Sequence, residues 1–448
     1  MKKLWLVVAL VALGGWTSKT FADVQNIRLS GDIRLRGYFI DSAGDDGTGA
    51  QAKGNASFIS QRTRVSVEAD LEDHVLVVVT LRSESLWGTD NESVHNASGA
   101  GNGGFNGNIN RGWDVGVDEA YVQFNELFYT PATLKLGRQY LQYGRGLILS
   151  SVEQEYNYDA ARLVLDYYPL TIDLVGAQLV NNQGFSPTPT HAGASDLLFV
   201  NARYELSDSA IKDVEAYFGW VSQGPSGPVA SSRVIPTTGG SSPLIIGIRS
   251  DINLTEGLQT WVEGAYEFGD NSDAGANNLS AFLFNLGGKY TLKNVQWVPV
   301  LNGNYIFASG GGKNNVDSTF IPWFDYADGY NGYLFAPALT DIHIFNLGAS
   351  VKPYENTTLA LQVYYYLKAD KDGIAGSNPN VDFGGMSVAP TAASQDIGWE
   401  IDGILGYDYS KDVRAQLVYG AFVPEGAYRH AGTSAVAEEV RAEVNVKF

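Results

Sequence analysis

The sequence predicts an all-β chain folded as a single transmembrane antiparallel β-barrel of about 18 strands, with short turns at one mouth and long loops at the other. Three observations lead there. About ten residues of alternating apolar and polar character recur along the chain, and a period of two puts each set on its own face of a strand. The 448 residues include 51 Gly, 25 Tyr, 20 Phe and 9 Trp, yet the mean hydropathy is only −0.11, too polar for a bundle of membrane helices. Beyond the N-terminus no stretch approaches the roughly 20 consecutive apolar residues that a helix needs to cross a bilayer.

The N-terminus reads as a secretory signal over residues 1–22. Lys2 and Lys3 precede an apolar run from Leu4 to Leu13, and Thr20-Phe21-Ala22 offers small-residue processing after Ala22. The barrel then occupies 23–448. Removing Lys2, Lys3 and Lys19 with the signal takes the net charge from −19 to −22, which argues against nucleic acid as a partner. The absence of cysteine from an exported chain leaves no disulfide and no thiolate metal site, so stability must come from a closed hydrogen-bonded wall.

The first strand shows the device plainly. Ile27, Leu29, Ile33, Leu35 and Phe39 occupy odd positions, while Arg28, Ser30, Asp32, Arg34, Arg36 and Tyr38 occupy even ones. The pattern returns near 61–69, 76–86, 115–125, 132–139, 160–168, 170–180, 197–206, 214–222, 244–254, 258–268, 280–292, 296–308, 342–352, 358–368, 396–408, 413–423 and 435–448. Short connectors such as Tyr168-Pro169-Leu170 and Ser410-Lys411-Asp412 take turns with long Gly/Asn/Ser/Asp-rich ones near 41–57, 88–113, 140–158, 181–195, 223–243, 269–279, 309–340, 369–395 and 424–434. The long ones are expected on the outer side. For the loop from Tyr140 to Asp159, with Arg145, Glu153 and Glu155, two placements stand open: folded inward to narrow the lumen, or left as an external flap.

A soluble sandwich would keep one face dry, whereas here strand after strand carries ions on its polar face, which suits a wet lumen. Trp87, Trp220, Tyr290, Trp297, Trp399, Tyr407 and Tyr409 fall near strand ends, as interfacial aromatic girdles do. The chain ends on Val440, Ala442, Val444, Val446 and Phe448 in alternation with Arg441, Glu443, Asn445 and Lys447. This last strand resembles the signal read by the outer-membrane barrel assembly machinery, with Phe448 as its end.

Several stretches resemble the alginate-export family of outer-membrane proteins, whose known members are 18-stranded barrels. They are SFISQRTRVSVEADL at Ser57 to Leu71, LRSESLWG at Leu81 to Gly88, KLGRQYLQYGRG at Lys135 to Gly146, TFIPWF at Thr319 to Phe324, and GWEIDG and VPEGAY between Gly398 and Tyr428. The resemblance implies a passive conduit in the bacterial outer membrane. The family's namesake moves a polyanionic polysaccharide through an arginine-lined lumen and has a long periplasmic turn, whereas every inner turn assigned here is short.

Position alone puts Arg28, Arg34, Arg36, Arg62, Arg64 and Arg82 on polar faces, and with Arg138, Arg162, Arg203 and Arg249 they are the candidate pore-lining, anion-binding residues. Asp32, Glu68, Glu84, Glu119 and Asp166 are the candidate pore acids, with Asp173, Glu215, Asp251, Glu263 and Glu267 on the same faces. Two arrangements stand open: acids that neutralise the arginines in a network, or a basic wall facing an acidic one.

No catalytic set is expected, because His74, His95, His191, His343 and His430 have no Ser–acid partners nearby. Asp41, Asp45 and Asp46 read as solvated charge rather than a Ca²⁺ site, and no cofactor or metal is expected. The expected surroundings are outer-membrane lipid and lipopolysaccharide, and the expected cargo is a polar or anionic solute. The alternatives are a polysaccharide exporter with periplasmic partners and a structural or adhesive barrel.

Overall fold

A computed structural model describes residues 24–42, 54–71, 74–88, 113, 115–151, 157–180, 195–207, 209–223, 242–270, 278–313, 316–321, 323, 331–371, 381–383, 386–388, 394–427 and 436–448. The expected signal, Asp45 and Asp46, and His95, His191 and His430 lie outside them. Eighteen strands form the wall: β1 (Val24–Ser42), β2 (Gly54–Leu71), β3 (Val75–Leu86), β4 (Val115–Phe124), β5 (Ala132–Gln139), β6 (Tyr158–Tyr167), β7 (Leu170–Val180), β8 (Ser195–Glu205), β9 (Ile211–Gln223), β10 (Ser242–Thr255), β11 (Leu258–Asp270), β12 (Asn278–Thr291), β13 (Val300–Ala308), β16 (Ile342–Tyr354), β17 (Thr357–Lys368), β20 (Asp396–Asp408), β21 (Val413–Pro424) and β22 (Ala437–Lys447). The two-residue strands β14 (Gly312–Lys313) and β15 (Val316–Asp317) and the hairpin of β18 (Val381–Phe383) and β19 (Met386–Val388) belong to loops.

Each wall strand pairs antiparallel with the next, and β22 pairs with β1 from Asp32 opposite Lys447 to Asp41 opposite Glu438. Closure leaves no sheet edge, the condition for strands to cross hydrocarbon. At the seam the Gly31 N–H donates to the Phe448 carbonyl at 2.9 Å, and the Phe448 N–H donates back at 3.0 Å. The Phe448 ring covers Gly31 so closely that a Cβ there would stand 2.6 Å from Cζ.

Among the described residues no helix is long and apolar enough to cross a membrane, so the crossing is by strands. Alternation decides the two faces as expected. Ile27, Leu29, Val67, Leu198, Ile248, Leu286, Leu347 and Leu361 are exposed outward, while their strand neighbours turn in. The seven aromatic residues expected in the girdles are all exposed at or near strand ends. The inner turns are short, with two residues (Glu256 and Gly257) between β10 and β11 and likewise Glu355 and Asn356 between β16 and β17. Gly257 takes φ +90° there, where a side chain would also meet the Thr291 carbonyl. His343 lies at the start of β16, and its Nδ1 is 2.9 Å from the Tyr305 hydroxyl on β13.

The lumen is not an empty cylinder. The described part of the β5–β6 loop buries Leu141, Leu147, Ile148 and Leu149, which settles the two placements in favour of folding inward. The described parts of the β13–β16 loop, expected outside, also turn into the lumen: Phe320 and Trp323 are 0% exposed and Phe335 only 2%. The physical reason is apolar. Trp323 lies against Gly219, where a Cβ would be 2.8 Å from its ring, and Phe335 stacks on Phe422 of β21 at 4.5 Å. Aromatic residues left in water outside would forfeit that burial.

A charged lumen wall with two clamped loops

From β22 through β1 and on to β10 the inward face carries arginines, and register pairing makes a ladder of them. Arg34 stands opposite Arg62 and Arg64 opposite Arg82, all on one face. Like charges directly across a strand pair repel, and the ladder holds because acids are threaded through it. Asp32 accepts from Arg62 at 3.0 Å and Arg64 at 3.4 Å. Glu84 accepts from Arg34 at 3.4 Å and also from Arg82. Arg36 pairs with Glu443 at 2.5 Å across the seam. Further round, Arg162 meets Asp173 at 2.6 Å, Arg203 meets Asp213 at 2.6 Å, and Arg249 meets Glu215 at 2.5 Å as well as Asp251. Arg28 pairs with Glu68 and Asp70 at the inner mouth.

The acids therefore lie between the arginines, not on a wall facing them. The side from β12 to β17 carries amides in their place, with Asn285, Asn302, Asn304, Asn346 and Gln362 hydrogen-bonded to one another across strands. A charged flank thus faces an amide flank.

Arg138 is a correction. It stands opposite Ala120 on β4 and Asp159 on β6, on the face of Leu136, and so points away from the lumen. Its partner is Asp159 at 3.4 Å, and both side chains are exposed. Strict alternation counted from Lys135 gives this, since Lys135 and Arg138 have opposite parity. Asp166, by contrast, shares the inward face of Arg162 and Val164 and accepts from Thr171 at 3.1 Å at the inner end of β6.

One residue that the sequence reading passed over is Asp118. The register between β3 and β4 slips at Thr80/Leu81, a β-bulge. The bulge lets Asp118 and Glu119 both turn inward, and Asp118 is only 2% exposed. It accepts from Arg64 at 2.8 Å, from Asn157 at 3.0 Å and from the Tyr140 hydroxyl, and lies 3.8 Å from Arg82. The signal was present: two consecutive acids in a strand would send one carboxylate into lipid unless a bulge intervened. At the foot of the β5–β6 loop, burial and this hydrogen bond hold the Tyr140 phenol well above its ordinary pKa.

Buried wall carboxylates also hold the loops. Glu215 accepts the Gly144 N–H at 2.9 Å, and Glu263 accepts the Arg145 N–H at 3.2 Å. The Arg145 guanidinium rests over Trp261 at 4.1 Å, so the tip of the loop reaches β11 from its root on β5. In the second loop Glu267 accepts the Ile321 N–H at 2.8 Å. Glu400 accepts three successive N–H groups, of Tyr333 at 2.7 Å, Leu334 at 2.8 Å and Phe335 at 2.9 Å, with the Tyr366 hydroxyl at 3.0 Å. Of these four clamps Glu400 was not singled out in the sequence, because its partners lie in a loop with no period to read. No group of three or more metal-ligating side chains occurs among the described residues.

A closed, lipid-belted barrel with ions and amides inside and loops drawn into its lumen defines an outer-membrane channel. Residues 26–442 match the family described as Alginate export, and the chain belongs to that family. No curated protein matches it. Among solved structures it is similar to a BenF-like porin from Pseudomonas fluorescens Pf-5 (11% identity, 95% of this chain and 99% of that one, TM-score 0.57). It is also similar to Pseudomonas aeruginosa OpdQ (14%, 96% and 99%, 0.56) and to Pseudomonas aeruginosa OpdK with vanillate (11%, 94% and 98%, 0.54). At such identities the likeness is one of fold.

Proposed function

We propose that the chain passes small polar solutes, preferentially anionic ones, passively across the bacterial outer membrane, and that it has no enzymatic activity. The observation that carries this reading is the one-sided ladder of guanidiniums, from Arg36 and Arg62 round to Arg249, beside a lumen narrowed by two fixed loops. Guanidiniums stay charged at any working pH and meet carboxylates in a two-pronged way. The proposed pore-lining set is the sequence-derived one without Arg138 and with Asp118 added. Residues 1–22 are proposed as a cleaved signal, and the assembly machinery and lipopolysaccharide as partners of the finished wall.

Single-channel recording in planar bilayers tests this. A stepwise conductance with a reversal potential displaced toward the anion equilibrium in a potassium chloride gradient is expected. A cation-preferring or silent barrel overturns it. A second reading follows from the family match, export of a polyanionic polysaccharide. It predicts a closed barrel that conducts only when alginate oligomers are supplied.

A further inference from the structure

The ladder is almost entirely neutralised from within, which makes the exception informative. Lys135 on β5 faces the lumen between Gln123 of β4 and Arg162 of β6. Its ammonium lies 3.5 Å from the centroid of the Tyr121 ring and makes no ion pair among the described residues. The charge of Glu119 reaches it, but no carboxylate is within ion-pair distance of its ammonium among the described residues. Glu119 turns to Thr80 and Arg64, and Asp173 is taken by Arg162. Arg162, directly opposite, stands 5.6 Å from the Tyr143 ring of the inward loop. Two cations face each other across one strand pair, just beneath the loop that narrows the lumen, and the carboxylate paired with Arg162, Asp173, lies on its far side, on β7.

We propose that Lys135 and Arg162 form an oxyanion station, which holds the carboxylate of a passing solute below the β5–β6 loop. A like-charge pair placed directly across a sheet is destabilising, and a visiting carboxylate relieves that repulsion. The ring beneath the ammonium keeps Lys135 from wandering while leaving its remaining donors to a ligand. The station deepens the anion-channel reading and rests on it. It shifts the weight of selectivity from the paired arginines of β1 to β3 to a lysine on β5 that holds no ion pair among the described residues.

The test is block of the chloride current by potassium glucuronate, titrated on assembled barrels of verified heat-modifiable migration. In the wild type the block should saturate. Lys135→Gln should raise the half-saturating concentration about fivefold, the step for one unit charge about 4 Å away in a watery lumen. Lys135→Arg should keep it. Lys289→Gln removes an equal charge at the inner end of β12, where Lys289 is exposed and makes no ion pair among the described residues, and should leave the block unchanged. Because the chain has no cysteine, Lys135→Cys gives a second route. Its thiolate attacks an aminoethyl methanethiosulfonate, forming a disulfide and releasing a sulfinate, and the restored ammonium should restore the block.

Equal block in wild type and Lys135→Gln, or an equal loss in Lys289→Gln, overturns the station while leaving the anion channel standing. A wild type that neither prefers anions nor is blocked by glucuronate overturns the channel reading itself.

Discussion

Replacing Glu400 by Ala should loosen the β13–β16 loop without opening the barrel. The carboxylate is 0% exposed and accepts the N–H groups of Tyr333, Leu334 and Phe335 and the Tyr366 hydroxyl. A buried donor left without a partner costs about 1–3 kcal/mol, so stranding three amides disfavours the docked loop by about 3–9 kcal/mol before water enters. Phe335 keeps its stacking on Phe422 and Trp323 its place over Gly219, which returns part of that. A net penalty of about 3 kcal/mol would raise the undocked population more than a hundredfold. The wall hydrogen bonds of β20 are untouched, so heat-modifiable migration should persist. Two measurements read the result. Hydrogen exchange at 331–341 should accelerate while exchange in β17 and β20 stays slow, and single-channel conductance should rise and become noisier. Glu400→Gln keeps one acceptor and should fall between. Unchanged exchange and conductance in Glu400→Ala would show that aromatic packing alone seats the loop, and the carboxylate clamp would be refuted.

Three further outcomes are expected. Phe448→Asp and Gly31→Val should both lower the surface yield, the first by setting a charge beside lipid and the second by driving a side chain into the Phe448 ring; normal yields would contradict the seam. Joint replacement of Arg36, Arg62 and Arg64 by Gln should reduce anion preference at low salt, the difference shrinking as the screening length falls to about 10 Å at 0.1 M. In contrast, the charge-neutral pair Arg36→Gln with Glu443→Gln should lower thermal stability with little effect on selectivity, since an ion pair leaves no net charge behind; a full loss of selectivity there would mean that Arg36 meets the solute directly. Asp118→Leu should cost more stability than Asp166→Leu, because Asp118 serves Arg64, Asn157 and Tyr140 while Asp166 meets Thr171 at an exposed inner end; equal melting temperatures would refute the hub.

The wall was legible because lipid on one side and water on the other impose a period of two on every strand. Ala132–Gln139 and Leu170–Val180 follow from that period to the residue. The inward arginines of β1 to β3 follow from parity alone. Arg138 escaped because its charge was given more weight than its parity. Asp118 escaped because a bulge breaks the period just where the acid pair demands it. The inward loops were illegible for a different reason. Loops carry no period, and the partners that seat them, such as Glu400 for Tyr333 to Phe335, lie some 65 residues away in the chain. What those partners share is visible only in the fold: they are buried acids on the inward wall within reach of a loop amide, and Glu215 serves Arg249 as well.

The seam between β22 and β1 also fixes an order of events. The partner of Gly31 is Phe448, beside the last wall strand, so β1 and β22 keep raw edges until they meet. Every other wall pairing joins sequence neighbours at modest loop-closure entropy, but this one joins the first wall strand to the last. A sheet holding the seventeen neighbour pairings without the seam would present two unpaired edges, the feature by which sheets join a second copy. Closing the seam removes both edges at once, so one pairing spares the whole wall from joining another sheet.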